Sequence, residues 1–256
     1  MNKIVVISSN NNPDYLYFAK WQEKAWNKLG WQLCVMITHD VDPLALELIP
    51  REDNDKPTLI IQLPEIEGLK TGTIAQAGRL YAANYLPEDA LIMTCDIDLI
   101  PLSDYWHPDP FDVTVYGHDL TWHSFFPMGY CAMTGKNWKK YMELTGLTFE
   151  DMVKDSKSGK SNYNPYSDVW EQYWDYDWSL LTNKLMPYKS IIKFIDRGQI
   201  DIAGATLAKG RIDRHNIEVT RNQEGPFIDC HYHNTSLRND RRDIVFEEIF
   251  NKFYGN

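Results

Sequence analysis

Short apolar runs alternate with helical patterns in the first part of the chain, and this order constrains the fold more than any other feature. The apolar runs have the length and β-branched content of buried strands, and they lie at residues 4–7, 32–37, 59–63 and 90–95. Apolar residues recur at helical spacing over residues 15–29 and 73–86, which predicts two helices between strands. Because strands joined through helices usually pair in parallel, the order predicts an α/β fold with a mostly parallel central sheet flanked by helices.

The second half of the chain has a less regular pattern. It predicts strands at 112–116 and 130–134 and helices at 135–144, 175–185 and 245–253. Residues 154–167 form a polar, turn-rich stretch that predicts a long loop, of a length usually associated with function or mobility. Neither a repeat nor a linker divides the sequence, so a single domain over residues 1–256 is expected.

Composition excludes some classes of protein. The net charge of −10 argues against a broad nucleic-acid-binding surface, which needs a basic face. No apolar stretch reaches the roughly 18–20 residues that span a bilayer, and the first apolar run is too short for a signal peptide. The cysteines at positions 34, 95, 131 and 230 lack paired spacing and are expected to be reduced. A cytoplasmic protein without a transmembrane segment is therefore expected.

Residues 91–101 read Leu-Ile-Met-Thr-Cys-Asp-Ile-Asp-Leu-Ile-Pro, an apolar strand that leads into two carboxylates. In an extended backbone, Asp96 and Asp98 would share one face, roughly 6.6–6.8 Å apart along the chain. Two such carboxylates repel each other, and a nearby cation relieves that repulsion. Oxygen ligands favour a hard divalent ion, so Mn²⁺ or Mg²⁺ is expected here.

Three segments together resemble the GT-A glycosyltransferases. They are the first strand with its polar loop at 4–12, the helical segment 71–87, and the Asp96-Ile-Asp98 motif. The resemblance implies a single GT-A-like domain, with a Rossmann-like nucleotide-sugar-binding half at about 1–105 and a mixed acceptor-binding half at about 106–256. It also implies metal-dependent transfer of a sugar from a nucleoside diphosphate sugar, most often UDP-linked, to a glycan or another hydroxyl acceptor.

The resemblance assigns roles to individual donor-site residues. Asp96 would meet the ribose or the metal, and Asp98 would bind the metal. The remaining donor-site candidates are Ser8 and Asn10 near the base, Arg79 near a phosphate or the sugar, and Gly129 in a turn beside the donor sugar. Arg79 could equally be a solvated helix residue, and Gly129 could simply form a turn before a strand.

A late histidine completes the metal shell in some members of that family. Residues 227–235 read Phe-Ile-Asp-Cys-His-Tyr-His-Asn-Thr, and an extended backbone would put His231 and His233 on one face. Either histidine is therefore a candidate third ligand, since imidazole suits manganese. Both histidines could instead have structural partners.

The acidic and aromatic segment 170–178, Trp-Glu-Gln-Tyr-Trp-Asp-Tyr-Asp-Trp, resembles the acceptor-site segment of many GT-A enzymes. If the reaction inverts the anomeric centre, a carboxylate must act as general base. Asp177 is the first candidate for that base and Asp175 the second. Trp174 and Trp178 could cover a sugar ring or belong to the core.

Two other functions fit parts of the sequence. A haloacid-dehalogenase-like phosphatase also carries Asp-x-Asp after a strand, but its motif lies near the N-terminus and is followed by Thr or Val. Here Leu99 follows, and three predicted strands precede. A non-catalytic protein of the same fold that binds a carbohydrate or a nucleotide remains the alternative from another class.

Overall fold

The structure is a computed structural model, and it describes most of the chain. The described residues are 1–42, 44–49, 56–106, 112–117, 126, 129–157, 176–196, 199–202, 205–208, 210–213, 227–232 and 239–255. The strands are β1 Lys3–Ser9, β2 Gln32–Ile37, β3 Leu59–Gln62, β4 Leu91–Thr94, β5 Leu99–Pro101, β6 Val113–Tyr116, β7 Cys131–Thr134, β8 Ile192–Ile195, β9 Gln199–Ile202, β10 Ala205–Ala208, β11 Arg211–Asp213 and β12 Asp229–His231. The α-helices are α1 Pro13–Leu16, α2 Ala19–Lys28, α3 Thr71–Tyr81, α4 Gly135–Tyr141, α5 Phe149–Lys157, α6 Tyr176–Leu185 and α7 Asn239–Tyr254.

Seven of the described strands form the main sheet, in the order β3-β2-β1-β4-β7-β6-β8. The first four are parallel to one another, β7 runs antiparallel to both β4 and β6, and β8 is parallel to β6. The predicted mostly parallel sheet is therefore confirmed. Since β1, β2 and β4 are parallel neighbours, their carboxyl ends meet at one edge, where ligands bind in sheets of this type.

The apolar runs in the sequence reflect strands that are covered on both faces. In β1, Val5 and Ile7 pack into one buried cluster while Ile4 and Val6 pack into another. The first cluster includes residues of α2 and α7, and the second includes residues of α3 and α4. A strand buried on both faces is apolar at every position, because it has no solvent-facing side.

Several predicted helices have different bounds in the structure. The pattern at 15–29 is divided into α1 and α2, and Asn12 caps α1 by accepting a 3.0 Å hydrogen bond from the Asp14 N–H. The pattern at 73–86 begins at Thr71 and becomes a 3₁₀ turn at Ala82–Asn84. Part of the predicted loop at 154–167 is wrong, because α5 extends to Lys157; the rest lies outside the described residues.

A three-stranded sheet beside the Asp96-Ile-Asp98 motif was not predicted. Strand β12 pairs antiparallel with β5 and parallel with β11, and this places His231 opposite Leu99. Each of these strands has three residues, too few for a period to be recognised from sequence. The pairing brings segments more than a hundred residues apart to the carboxyl edge of the main sheet.

The cysteines agree with the sequence predictions, and the predicted last helix is present but begins at Asn239, before the expected residue 245. All four cysteines are buried as free thiols. In α7, Val245, Phe246 and Ile249 are buried in the core. None of the described helices is long and apolar enough to cross a membrane.

Candidate active site

The Asp96-Ile-Asp98 motif lies in a tight turn, not in an extended strand. Strand β4 ends at Thr94, and the Leu99 N–H donates to the Asp96 carbonyl oxygen at 3.1 Å. The expected extended spacing of the two carboxylates was therefore wrong. The turn forms because β5 begins at Leu99 and pairs with β12, which redirects the chain immediately after the motif. As a consequence, Asp96 and Asp98 have different partners.

Asp96 is bound by Arg79, which α3 supplies. The Arg79 Nη1 atom donates to Asp96 Oδ1 and, at 3.0 Å, to the carbonyl oxygen of Cys95. The Nη2 atom of the same guanidinium donates to Asp177 Oδ2. One buried cation thus joins the motif turn to the start of α6, so Arg79 is not the solvated helix residue of the alternative prediction.

Burial dominates the electrostatics of this group. Asp177 is 1% exposed, and its Oδ1 atom accepts a 2.9 Å hydrogen bond from the Trp178 N–H. Burial raises the pKa of Asp177 to about 6, although the Arg79 charge acts in the opposite direction. Burial alone would lower the pKa of Arg79, but Asp96 and Asp177 raise it above its ordinary value. Arg79 therefore remains a cation.

Asp98 lies next to His231. The Tyr232 N–H donates to the Asp98 carbonyl oxygen at 2.9 Å, which fixes β12 against the motif turn. As a result, His231 Nε2 is 3.6 Å from Asp98 Oδ2, beyond hydrogen-bond distance. Among the residues that the structure describes, no three His, Cys, Asp or Glu side chains form a cluster suited to a metal ion. His233 lies outside that part of the chain.

Gly129 lies against the same turn. A Cβ atom at this position would be 2.8 Å from Leu99 Cδ1 and 2.9 Å from Asp96 Oδ2, closer than real side-chain contacts. The absence of a side chain therefore leaves room for Asp96. The neighbouring Pro127 and Met128 are outside the described residues.

A buried ion pair anchors β12. Asp229 is fully buried and receives two 3.0 Å hydrogen bonds from the Arg211 guanidinium, one on each carboxylate oxygen. The Tyr130 hydroxyl donates to the same carboxylate at 3.3 Å. Since Tyr130 follows Gly129 and Asp229 precedes His231 by two residues, this group joins both sides of the motif turn.

The predicted base-site residues lie at the carboxyl end of β1. Ser8 is the penultimate residue of the strand, where a loop had been expected to begin. Asn10 follows the strand, and its Nδ2 atom donates to Thr71 Oγ1 at 3.3 Å. At the end of the neighbouring β2, the Thr38 hydroxyl donates to Asp40. These polar side chains occupy the sheet edge that also carries the motif turn.

Most of the predicted site residues in the described part of the chain are neighbours. Arg79, Asp96, Asp177 and Gly129 form one group, and Asp98 and His231 lie on the other side of the turn. Trp178, next to Asp177, is 37% exposed. Asp175, Trp174 and His233 are outside the described residues.

The sequence assigned no role to several other residues of this region. They are Gln22, Tyr130, Arg211 and Asp229. The acidic Asp229 was visible in the segment 227–235, but nothing in the sequence paired it with Arg211. A single glutamine in an amphipathic helix carries no signal of its own.

No protein-family model matches the sequence, and no curated protein matches it. Solved structures do match. The galactosyltransferase LgtC in complex with donor and acceptor sugar analogs superposes with a TM-score of 0.55 and 14% identity, over 95% of this chain and 95% of that one. An active-site mutant of LgtC gives a TM-score of 0.56 and 14% identity, over 97% and 95%. The apo form of the glycosyltransferase GlyE from Streptococcus pneumoniae TIGR4 gives 0.56 and 14%, over 99% of this chain and 63% of GlyE.

These likenesses establish the class of fold. The chain has the GT-A glycosyltransferase fold that the sequence predicts, with a seven-stranded mixed sheet and flanking helices. The chain spans nearly the whole length of LgtC and about two thirds of the GlyE chain.

Proposed function

We propose that this protein is a glycosyltransferase that moves a sugar from a nucleoside diphosphate sugar to a hydroxyl acceptor. The observation that carries the proposal is the Asp96-Ile-Asp98 turn at the carboxyl edge of the sheet, with Arg79 and His231 on its two sides. Polar ends of β1 and β2 at the same edge suit a nucleoside. The donor would lie in the half formed by residues 1–105, and the acceptor would approach from residues 106–256.

A divalent cation fits the donor atoms on one side of the turn. Asp98 Oδ2 and His231 Nε2 present an oxygen and a nitrogen 3.6 Å apart, and both atoms are ligands that Mn²⁺ accepts. Asp96 Oδ1 contacts Arg79, so Oδ2 is its atom for the ribose or the metal. His233 remains the other predicted histidine ligand. When bound, the cation would neutralise charge that develops on the diphosphate leaving group.

Arg79 would contribute a second positive charge to the donor site. It is held by Asp96 and Asp177, so its guanidinium is fixed before any ligand binds. A fixed cation needs no reorganisation when negative charge develops near it, and this is how preorganised sites stabilise a transition state. Asp177 would therefore serve the reaction by holding Arg79 in place. Asp177 and Asp175 remain the proposed candidates for the general base.

On the acceptor side, the proposal rests on Trp178. The exposed ring of Trp178 lies beside Asp177 and could cover the apolar face of a sugar. UDP is the donor nucleotide that the resemblance favours, with Ser8 and Asn10 nearest to its uracil base. The fold of the structural neighbours gives no support to the phosphatase alternative.

Thermal-shift measurements test the donor site. We expect UDP to raise the melting temperature with Mn²⁺ and to lose this effect when EDTA removes the metal. ADP and GDP serve as the other nucleoside diphosphates. Asp98→Asn should lose the shift in melting temperature. Asp89→Asn, at an exposed residue before β4, should keep it. The proposal fails if no nucleoside diphosphate stabilises the protein, or if Asp98→Asn retains the metal-dependent shift.

A further inference from the structure

Gln22 holds the motif turn from the side of α2. The residue is fully buried, and its Nε2 atom donates to the carbonyl oxygens of Leu99 at 2.7 Å and Ile97 at 2.8 Å. The same nitrogen lies 3.2 Å from the Asp96 carbonyl oxygen. One side chain thus contacts three of the four backbone carbonyls between Asp96 and Leu99.

The orientation of this carboxamide is fixed by chemistry. Carbonyl oxygens can only accept, so the NH₂ end must face the turn. The oxygen end accepts a 2.7 Å hydrogen bond from Trp26 Nε1, and an indole N–H can only donate. Trp26 lies one helical turn further along α2 and is itself fully buried. A flipped amide would lose its bonds at both ends.

Neither glutamate nor methionine could replace this arrangement. A glutamate would present carboxylate oxygens to three carbonyl oxygens, and a methionine would fill the same space with no donor. In either variant, the three carbonyl oxygens would lose their hydrogen bonds to residue 22 while they remain buried. The turn conformation that directs these carbonyls toward α2 would therefore be destabilised. The carboxylates of the same turn instead contact Arg79 and lie beside His231.

We infer that Gln22 is a positioning residue that fixes the backbone of the Asp96–Leu99 turn and thereby places the Asp96 and Asp98 carboxylates. The effect on the turn depends only on the hydrogen bonds described. The effect on ligand binding rests on the proposed metal and diphosphate site. These two consequences are measured separately.

Gln22→Met is the direct test, and Trp138→Phe is its matched control. Trp138 Nε1 donates to the carbonyl oxygen of Ile92, in β4, at 3.0 Å. The control therefore also removes a buried side-chain donor to a backbone carbonyl, but it does so on the other face of the sheet and away from the motif turn. Trp26→Phe is a milder variant that keeps Gln22 but removes the bond that orients it, and it replaces Gln22→Met if that protein does not fold.

Hydrogen exchange and metal binding give the two readouts. In Gln22→Met, we expect peptides covering residues 95–102 to exchange faster than in the wild type, while the control exchanges there at the wild-type rate. We also expect the Kd for Mn²⁺ in the presence of UDP to rise on the order of tenfold, as for other supporting residues of metal sites. The control should bind with the wild-type Kd.

Unchanged exchange over residues 95–102 in a folded Gln22 or Trp26 variant would overturn the inference, as would an equal loss of Mn²⁺ affinity in Trp138→Phe. If the wild type itself binds neither Mn²⁺ nor UDP, the proposed function fails. The exchange measurement then still decides whether Gln22 holds the turn.

Discussion

Arg79 is the residue on which the proposed donor site depends most. A guanidinium buried without partners would carry a large desolvation cost, and here Asp96 and Asp177 both pair with it. Asp177 is 98 positions away in the sequence, so the pairing could not be predicted from any local motif. All three residues were candidate site residues from the sequence, Arg79 through the resemblance to the GT-A enzymes, Asp96 through the motif and Asp177 through the acidic segment.

Asp177→Asn should change how stability depends on pH. Burial raises the pKa of Asp177 to about 6, above the value of 3.8 expected in the unfolded chain. Between pH 3.8 and about 6, Asp177 holds a proton in the folded protein that it has lost in the unfolded chain. Protonation of Asp177 therefore stabilises the fold at low pH, and this stabilisation is lost as the pH rises through the folded-state pKa. Relative to the Asn variant, the wild type should lose about 1–3 kcal/mol of unfolding free energy from pH 4 to pH 7.

Denaturant titrations of both proteins across that range measure the difference. A difference that stays constant, or one that grows in favour of the wild type as pH rises, would contradict the assignment. The second result would mean that Arg79 outweighs burial and lowers the pKa.

Gly129→Ala should weaken donor binding more than it weakens the fold. The new methyl group would meet two side-chain ends, Leu99 Cδ1 and Asp96 Oδ2, and both can move aside. Overpacking of this kind costs about 1–3 kcal/mol, and displacement of Asp96 should reduce the UDP affinity in Mn²⁺. Gly72→Ala, in α3 with no atom within 4 Å of the added carbon, is the matched control and should bind normally. Wild-type UDP affinity in Gly129→Ala would show that Asp96 does not need this space.

Gln22 shows the limit of prediction at the residue scale. The apolar neighbours of Gln22 at helical spacing identify α2 correctly as an amphipathic helix. A polar residue on the buried face of such a helix would normally lower the stability of the fold, because it has to be desolvated. The role of Gln22 exists only because the motif turn presents three carbonyls at that point. A contact of this kind depends on tertiary structure that no period in the sequence reveals.

At the scale of elements, the small β11-β12-β5 sheet decides where the proposed metal ligands Asp98 and His231 lie. The long apolar strands of the main sheet were predicted to within about two residues, since burial on both faces leaves a continuous apolar run. Residues 99–101, which form β5, were not predicted as a separate strand, and the segment that contains β12 was singled out for His231 and His233. Their pairing depends on Asp229, whose partner Arg211 lies on β11.

Arg211→Lys should loosen that sheet. A lysine keeps the positive charge but cannot give the two parallel hydrogen bonds that the guanidinium gives to Asp229. We expect a loss of about 1–3 kcal/mol in the free energy of unfolding, as for hydrogen bonds to a charged group. Because β12 carries His231, Mn²⁺ affinity should fall as well.

Lys184→Arg controls for a change of cation type, since Lys184, on α6, forms a more exposed ion pair with Glu143. That variant should keep both stability and Mn²⁺ affinity. Normal Mn²⁺ affinity in a folded Arg211→Lys protein would show that β12 does not need the ion pair to place His231.

At the scale of the whole molecule, polar residues from distant parts of the sequence lie together at the carboxyl edge of the parallel strands. Ser8, Asn10, Asp96 and Asp98 all follow or end neighbouring parallel strands, so the class of fold could be predicted, and the donor site is proposed at the edge that these residues share. The fold after residue 105 could not be predicted as well, because its strands are short and mixed in direction. Its acidic and aromatic segment lies largely outside the described residues.

Release of nucleoside diphosphate from a panel of UDP-sugars in the presence of Mn²⁺ tests the central claim most directly. The wild type should release UDP from at least one donor, slowly to water and faster when a hydroxyl acceptor is added, and EDTA should stop the release. Asp98→Asn should reduce the rate at least about tenfold through loss of a metal ligand, while Asp89→Asn should keep the wild-type rate. UDP release at an equal rate in Asp98→Asn, or binding of UDP and Mn²⁺ without turnover of any donor, would contradict the account.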